Sequence, residues 1–485
     1  MPDEIDLLRT FREHTPGPSA TALARARAAI EAVATDEEVG PPRRLTLPLP
    51  RLGKRAVVSV VAAAALIAAL LAVVLPGTSP LTKPLTTAWQ PAHSLPASPA
   101  IPSGQIGGWR LASYLVAAGW QENTAGPEPG YLTCPTAQTC YVEGNSASSA
   151  SGPADMDSFY VSYNGGTAWS VLPLPGGISF TSALACGSAA NCAAGALYRG
   201  QPVFMTTTNG GHSWTVDPLP AGDGQIFTLS CPSATDCQAL ASAQGKTIAP
   251  GFAGLMASVR VVGTTDGGRH FTAVRFKSTH SLQDISCPTT SYCVALGVYN
   301  ESVLSRSAPI NGFVMFSRDG GARWQWGTLP TGLSPGPFPQ VTCVSASRCW
   351  MIGYVHDVAY SVLASSSDGG ATWIEHHLPA TIPDPQLSSL ACPTAATCYA
   401  AGSDSIPQQI GNTYNEGSAV VAVTEDGGRT FSRVSFPAPA RVPSGMQGDS
   451  FLDIGSIQCA RAGSCVALGI SDQGSTSTPV YTSTP

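Results

Sequence analysis

Two short motifs alternate strictly along residues 105–485, and this repeat constrains the fold more than any other feature of the sequence. The first motif is C-x5-C, which occurs seven times and uses all 14 cysteines. The second, which we call the glycine box, is [ST]-x-[DN]-G-G-x-x-[WF]. Its six copies occupy 162–169, 207–214, 264–271, 317–324, 366–373 and 424–431. A recurring period of about 45–67 residues indicates one supersecondary unit per repeat.

Each repeat predicts four short strands. In residues 182–219, apolar runs at 182–186, 192–197 and 202–207 are followed by the turn Asn-Gly-Gly and a last run at 212–219. Asn-Gly and Asp-Gly tolerate the positive φ of tight hairpins. The 50 glycines and 41 prolines, with only 12% charged residues, also favour short strands over long helices. Four strands at this period predict one blade of an all-β propeller per repeat.

Seven cysteine pairs stand against six glycine boxes, and the chain ends explain the difference. Residues 479–485 (PVYTSTP) match the third strand of earlier repeats, so the last repeat lacks its fourth strand. Residues 106–115 (IGGWRLASYL) read as a box and fourth strand without a cysteine pair. We therefore predict seven blades, the last completed by 106–115, because such a ring leaves no free strand edge.

The glycine box resembles the Asp box of the BNR-repeat β-propellers, a group that includes sialidases, sortilin-type receptors and photosystem-assembly-factor-like propellers. The resemblance covers 105–485 and implies a structural turn between third and fourth strands, away from any active site. It implies that the polar residue of each box bonds backbone amides of its own turn and that the closing aromatic residue packs between blades. The polar residues are Asn164, Asn209, Asp266, Asp319, Asp368 and Asp426; the aromatic residues are Trp169, Trp214, Phe271, Trp324, Trp373 and Phe431.

Each C-x5-C pair flanks a predicted turn between the first two strands of a repeat. Facing positions on such strands lie about 4.5–5.5 Å apart, within disulfide reach. Zinc is the alternative, but zinc sites favour C-x2–4-C spacing with a second ligand pair, which no repeat supplies. So many cysteines also favour an oxidising compartment. The predicted disulfides join Cys134 to Cys140, Cys186 to Cys192, Cys231 to Cys237, Cys287 to Cys293, Cys343 to Cys349, Cys392 to Cys398 and Cys459 to Cys465.

Residues 56–75 are twenty residues without charge, long enough to span about 30 Å of hydrocarbon. Five basic residues lie just before this run and only Lys83 just after it. The positive-inside rule then predicts a single-pass cell-membrane anchor with a cytoplasmic N-terminus and an external propeller. A buried core helix and a cleaved signal peptide are the alternatives. A core helix is disfavoured because the run is apolar on all sides and flanked by charge, and a signal peptide because the run and the segment before it are too long.

The predicted organisation has four parts: a cytoplasmic segment at 1–55 with two short helices, the transmembrane helix at 56–75, a Pro-rich linker at 76–104 and the propeller at 105–485. The first segment predicts a leader that orients the protein in the membrane, and a docking peptide for a cytoplasmic partner is the alternative. The alternation of Ala, Arg and aliphatic residues at 19–33 resembles the short cytoplasmic leaders of actinobacterial membrane-anchored regulatory proteins. The prolines of the linker predict an extended stalk.

The resemblance to sialidases raises the question of glycoside hydrolysis. Such enzymes need three arginines that bind a substrate carboxylate, a tyrosine activated by a glutamate, and an aspartate that acts as the acid. No F-R-I-P-like motif follows residue 105, and Arg199, Arg306 and Arg441 fall in predicted loops without a spacing that marks a triad. No nucleophile elbow, H-E-x-x-H motif or P-loop occurs. His376 and His377 are adjacent on a predicted strand and point to opposite faces. The sequence thus predicts no catalytic residue, metal site or cofactor.

Charge argues against one class of partner, and loop length indicates which face of the propeller binds a ligand. Residues 105–485 carry a net charge of −8, which argues against nucleic acid as a partner. The cysteine turn is always five residues, whereas the distance from its second cysteine to the next box varies from 17 to 29 residues. Insertions therefore build one face of the propeller, where loops on a rigid scaffold typically bind ligands. They occupy 145–158, 244–256, 299–311, 354–359, 403–417 and 471–478.

The candidate binding residues are the polar and aromatic side chains of these insertions: Tyr299, Asn300, Glu301, His356, Asp357, Asn412, Tyr414, Asn415 and Glu416. We expect a monomeric, membrane-tethered and non-catalytic module that binds or scaffolds a glycan, a cell-wall polymer or an envelope protein. A divergent sialidase-like glycoside hydrolase is the first alternative. A transmembrane signalling protein that couples an external ligand to a cytoplasmic partner is the second.

Overall fold

The computed structural model describes most of the predicted propeller. The described residues are 105–106, 108–116, 128–145, 158–243, 259–276, 280–299, 311–335, 339–355, 360–382, 385–404, 408–410, 413–415, 418–436, 451–471 and 477–483. All belong to the second of two compact units, residues 81–485. The predicted cytoplasmic segment, membrane helix and linker lie outside them. Among the described residues, none forms a helix long and apolar enough to span a membrane.

The described residues form short strands separated by turns, as the glycine and proline content predicts. In chain order the strands are β1 Gln105–Ile106, β2 Trp109–Val116, β3 Glu128–Thr133, β4 Cys140–Asn145, β5 Ser158–Ser162, β6 Ser170–Leu172, β7 Ile178–Cys186, β8 Cys192–Tyr198, β9 Gln201–Thr207, β10 Thr215–Pro218, β11 Asp223–Ser230, β12 Cys237–Ala243, β13 Val259–Thr264, β14 Thr272–Arg275, β15 His280–Thr289, β16 Tyr292–Tyr299, β17 Gly312–Ser317, β18 Gln325–Trp326, β19 Leu333–Ser334, β20 Gln340–Cys343, β21 Cys349–Val355, β22 Ser361–Ser366, β23 Ile374–His376, β24 Gln386–Ala391, β25 Cys398–Ser403, β26 Gln408–Ile410, β27 Thr413–Asn415, β28 Ala419–Thr424, β29 Ser432–Ser435, β30 Phe451–Arg461, β31 Ser464–Ser471 and β32 Ser477–Ser483.

Seven antiparallel sheets of these strands form the blades of a β-propeller, which confirms the all-β, seven-bladed part of the predicted fold. Blades 1 to 4 are β3–β6, β7–β10, β11–β14 and β15–β18. Blade 5 is β19–β23, with its first strand divided into β19 and β20, and blade 6 is β24, β25, β28 and β29. The first strands of successive blades, β3, β7, β11, β15, β20, β24 and β30, contact one another in a closed circuit and so surround the centre.

The seventh blade is built from both ends of the described chain. Strand β2 pairs with β32 from Trp109 opposite Ser483 to Val116 opposite Ser477. The blade therefore runs β30, β31, β32, β2, with β1 at its outer edge. The N-terminal segment completes the last blade as predicted from its likeness to a fourth strand.

Hydrophobic clusters join neighbouring blades, and the described residues contain one at each of the seven interfaces. The closing aromatic residue of each glycine box belongs to the cluster facing the preceding blade: Trp169, Trp214, Phe271, Trp324, Trp373 and Phe431. Trp109 occupies the corresponding place between blades 6 and 7. Because each blade buries its apolar side chains only against its neighbours, the ring is stabilised interface by interface.

Each glycine box forms a turn with the same three hydrogen bonds. In the first box, the Ser162 hydroxyl accepts from Gly166 N (2.8 Å) and donates to Asn164 Oδ1 (2.9 Å). Asn164 Oδ1 also accepts from Ala168 N (2.8 Å). The glycines have φ of 68° at Gly165 and 89° at Gly166, which residues with a side chain rarely adopt. The other five boxes repeat the three bonds.

All seven predicted disulfides are present and no cysteine is free. Their Cα–Cα distances are 3.9–4.1 Å, slightly shorter than the expected spacing. Cys186 and Cys192 face each other directly in the register of β7 and β8. The disulfides thus close the turn between the first two strands of every blade.

The cysteine turns and the glycine boxes lie on the same face of the propeller. In every box the first glycine donates its amide to a carbonyl of the cysteine turn in its own blade, at 2.8–3.0 Å; Gly165 N to Gln138 O is the first of these bonds. We call this side the box face. The other side, which carries the second-to-third and fourth-to-first strand connections, is the insertion face.

Candidate functional site

The candidate binding residues fall unevenly on the described structure. Tyr299 ends β16 at the insertion face, and Tyr414 and Asn415 lie in β27, which forms a hairpin with β26. The remaining candidates lie outside the described residues: Asn300, Glu301, His356, Asp357, Asn412 and Glu416. Tyr299 is therefore the predicted residue around which a site can be described.

Tyr299 belongs to a group of four aromatic rings in blade 4, which we call the aromatic cluster: His280, Tyr299, Phe313 and Trp326. The His280 ring centroid lies 5.3 Å from each of the other three. The Phe313 centroid lies 5.1 Å from Tyr299 and 5.3 Å from Trp326. The four rings therefore form one contiguous surface across the blade.

Strand register explains how the four rings meet. His280 faces Tyr299 across β15 and β16, and Phe313 faces Gly297 across β16 and β17. A side chain at Gly297 would overlap the Phe313 ring, so the glycine makes room for it. Trp326 on the outer strand lies on the same side of the sheet, because its partner Met315 is two residues from Phe313.

The aromatic cluster is buried at one end and open at the other. Phe313 is buried, His280 and Tyr299 are half-buried, and Trp326 is 54% exposed. Tyrosine and tryptophan combine a broad apolar ring with a polar group, which suits them to ligands with both characters. The cluster also lies at the base of the connection between β16 and β17, the insertion predicted at 299–311. It can therefore present a fixed ring surface beside a variable loop.

The centre of the propeller is lined by polar side chains that link adjacent blades. The hydroxyls of Ser230, Ser286 and Ser389 each accept a hydrogen bond of 2.9 Å from a backbone amide of the next blade's first strand: from Cys287, Cys343 and Ile457, respectively. The inner edges of these strands would otherwise leave backbone donors unpaired. These serines therefore stabilise the ring at its inner edge.

Two carboxyl groups on inner strands have perturbed pKa values. Burial raises the pKa of Asp284 to about 6, although its carboxylate accepts from Val341 N (2.8 Å) and the Thr228 hydroxyl (3.2 Å). Burial raises the pKa of Asp453 to about 7, and its buried Oδ1 has no hydrogen-bond partner among the described residues. A raised pKa brings a carboxyl closer to the range in which a general acid works.

Tyr131, on the inner strand of blade 1, is tied by its hydroxyl to another blade. Burial, with the nearby charges of Glu143 and Asp284, raises the pKa of its hydroxyl. Although the residue is 41% exposed, the hydroxyl donates to Phe227 O of blade 3. The hydroxyl proton of Tyr131 is engaged by this carbonyl, and the side chain bridges two blades.

Two arginines near the insertion face have carboxylate partners. Arg260 Nη1 lies 2.6 Å from Asp223 Oδ1. Arg433 lies 2.5 Å from Asp404 Oδ2 and donates to a backbone carbonyl, Thr381 O, at 2.6 Å. Because these guanidinium groups are already paired, we do not assign them a carboxylate ligand.

Of the three arginines in predicted loops, the structure describes only Arg199. The Arg199 guanidinium lies over the Tyr198 ring at 5.1 Å from its centroid. Arg306 and Arg441 lie outside the described residues. In the part of the chain that the structure describes, no group of three or more His, Cys, Asp or Glu is arranged to hold a metal.

The adjacent histidines of blade 5 occupy different surroundings. His376 stacks on Trp350 with ring centroids 5.0 Å apart, and its Nε2 lies 2.7 Å from the Ser365 hydroxyl. Burial lowers the pKa of His376, which favours the neutral ring. The His377 side chain is 90% exposed. The two rings therefore do not form a joint ligand site.

Sequence reasoning missed three members of the aromatic cluster and both inner carboxyls. Variable length in the sequence marks second-to-third connections as insertions, whereas His280 and Trp326 flank fourth-to-first connections. A search for aromatic residues at those connections would have found them. Asp284 and Asp453 carry no sequence signal, because their pKa values depend on burial at the centre of the ring.

No protein-family model matches the chain, and no curated protein matches its sequence. Solved structures similar to it include YCF48 bound to D1 peptide, at 15% identity and a TM-score of 0.48, covering 81% of this chain and 100% of the other. An oligogalacturonate lyase in complex with manganese gives 11% and 0.49, covering 83% and 98%. A Trypanosoma rangeli sialidase gives 9% and 0.37, covering 78% and 60%. We draw no functional conclusion from likenesses of this extent.

Proposed function

We propose that this protein is a non-catalytic binding module, an Asp-box β-propeller of the BNR type that residues 56–75 tether outside the cell membrane. Its ligand is a glycan, a cell-wall polymer or an envelope protein, bound at the insertion face. The aromatic cluster carries this proposal, because its exposed tryptophan is held in place by two half-buried rings and one buried ring and so offers a ligand a preformed aromatic contact.

The scaffold beneath the aromatic cluster suits a binding role. Inter-blade clusters and the shared seventh blade hold the blades in a closed ring, and the seven disulfides close the turns at the box face. Ligand contacts made by groups that are already ordered lose less conformational entropy on binding. The disulfides also agree with an extracytoplasmic location, where such bonds persist.

Binding of the full, oxidised chain to an array of glycans and cell-wall polymers tests the proposal, with released sugar assayed in the same wells. We expect binding without release. Trp326→Ala should weaken it about tenfold or more, as truncation of an aromatic anchor does. Ile374→Ala is the matched control, because Ile374 is 64% exposed on the outer strand of blade 5 but lies outside the cluster. Equal binding by wild type and Trp326→Ala would contradict the assigned surface.

Glycoside hydrolysis is the second candidate, favoured by the raised pKa values of Asp284 and Asp453. Release of sugar in the array, lost in Asp284→Asn but retained in Trp326→Ala, would place an active site at the ring centre and reverse the order of the two proposals. We rank hydrolysis second because the hydroxyl of Tyr131 is engaged by Phe227 O in a bond between blades.

A further inference from the structure

A cavity of about 210 Å³ opens on the box face between blades 7 and 1. Its walls include the cysteine turns of both blades, the box of blade 1, and the ends of β2 and β32. It is separate from the aromatic cluster, which lies toward the insertion face of blade 4. A pocket for a drug-sized ligand usually measures about 300–1,000 Å³. This one suits a small molecule or one group of a larger ligand.

The cavity lies at the seam where the ring is closed. In blades 1 to 6 a glycine box joins the third strand to the fourth, but blade 7 takes these strands from opposite ends of the described chain. Both sides of that break line the cavity, with Arg110 from β2 and Ser483 from β32. We call it the seam cavity.

The seam cavity is basic within an acidic domain. Arg110 and Arg461 line it, and no aspartate or glutamate is among its described lining residues. Arg110 uses Nε to donate to Thr482 Oγ1 at 3.3 Å, which leaves the terminal nitrogens of its guanidinium for other acceptors. Residues 105–485 carry a net charge of −8, so a site lined by two arginines is unusual for this chain.

Asn164, in the box that lines the cavity, adds a further donor without charge. Its Oδ1 is used within the turn, and residue 168 is an alanine, so Nδ2 has no partner among the described residues. In the second box, Asn209 Nδ2 donates to the Ser213 hydroxyl at 2.8 Å. The other four boxes have aspartate at this position. The box at the seam is thus the one that combines asparagine with a free amide donor.

We propose that the seam cavity binds an oxyanion, a carboxylate or phosphate group, through Arg110, Arg461 and the amide of Asn164. Guanidinium groups pair with such oxyanions through short, charge-assisted hydrogen bonds. An aspartate at position 164 would place a like charge beside the ligand, whereas asparagine keeps the turn and supplies a donor. This site is additional to the insertion-face site and does not depend on it.

Calorimetric titration of the full, oxidised chain with sodium D-glucuronate and, separately, with inorganic phosphate tests the site. D-Glucose is the neutral control. We expect at least one of the anions to bind saturably and glucose not to bind. Asn164→Asp and Arg461→Gln should each weaken anion binding about tenfold or more, the usual effect of losing a hydrogen bond to a charged group.

Asn209→Asp is the matched control, because it makes the same change in a box that does not line the cavity. It should leave anion binding unchanged. Asn164→Asp should unfold at the same denaturant concentration as Asn209→Asp, since four native boxes already use aspartate. Trp326→Ala should also leave anion binding unchanged, which separates this site from the proposed function.

Binding of glucuronate alone would identify a carboxylate site and binding of phosphate alone a phosphate site, and both results support the proposal. Several results would overturn it: neither anion binds, glucose binds as well as the anions, or Asn164→Asp and Arg461→Gln bind as tightly as wild type. Equal weakening by Asn209→Asp would also overturn it, because the effect would then arise from the box turn and not from the cavity.

Discussion

Because β2 closes the ring, we expect Trp109→Ala to lower the free energy of unfolding by a predictable amount. Trp109 is 2% exposed and belongs to the cluster between blades 6 and 7. Its ring centroid lies 4.9 Å from that of Phe436, which in turn lies 4.9 Å from that of Tyr481. The substitution therefore removes a large ring from a packed interface and leaves a cavity between blades 6 and 7.

We expect this change to lower the free energy of unfolding by about 3–5 kcal/mol, the range measured for truncation of buried tryptophan or phenylalanine to alanine. Trp373→Ala should cost a similar amount, because Trp373 is 5% exposed in the corresponding place between blades 4 and 5. Trp326→Ala should cost less than about 1 kcal/mol, because its ring is largely exposed.

Urea unfolding of the oxidised full chain, followed by far-ultraviolet circular dichroism, measures the three differences. Tryptophan fluorescence is less suitable because each variant removes a fluorophore. A cost for Trp109→Ala near that of Trp326→Ala would refute the reasoning, since the N-terminal strand would then not contribute a seventh interface equivalent to the others.

Three further predictions concern the blades themselves. Replacing Cys186 and Cys192 together by alanine should lower stability by about 2 kcal/mol, the chain-entropy value for so short a loop, and an unchanged urea midpoint would contradict this. The raised pKa of Asp453 means that its contribution to stability is full below the unfolded pKa of about 4 and is lost as the pH rises through about 7. Asp453→Asn should therefore gain about 2–4 kcal/mol relative to wild type between pH 4 and pH 8, and a difference independent of pH would argue against it. Ser366→Ala should lower the free energy of unfolding by about 1–3 kcal/mol, because the buried amide of Gly370 loses its hydrogen-bond acceptor. If Thr372→Ala, at an exposed position, lowers it by as much, the Ser366 hydroxyl does not stabilise the turn in this way.

The local part of the fold was predictable because the motifs contain their own partners. Each glycine box places its hydroxyl, its polar side chain and its two glycines within one turn, so the hydrogen bonds need no distant residue. Each cysteine pair likewise faces itself across one turn. The seven blades followed from counting these units, and the closing strand followed from the missing box after 479–485.

The aromatic cluster was only partly predictable. Tyr299 lies in an insertion that length variation revealed, but His280 and Trp326 come from the first and last strands of the blade. Their contact depends on the sheet register and on the room that Gly297 leaves for Phe313. A linear pattern does not carry that information.

By itself, the sequence determined that this chain folds into a propeller with a disulfide across the first turn of every blade, because blade formation depends on hydrogen bonds and turns between residues close in the chain. Only the tertiary structure decided where chemistry can occur. Asp284 and Asp453 acquire their pKa values from burial at the centre of the ring, and the seam cavity has in its walls both Arg110 and Arg461, which are 351 positions apart in the chain. Such sites arise where distant segments of the chain come together, and these segments come together only when the ring closes.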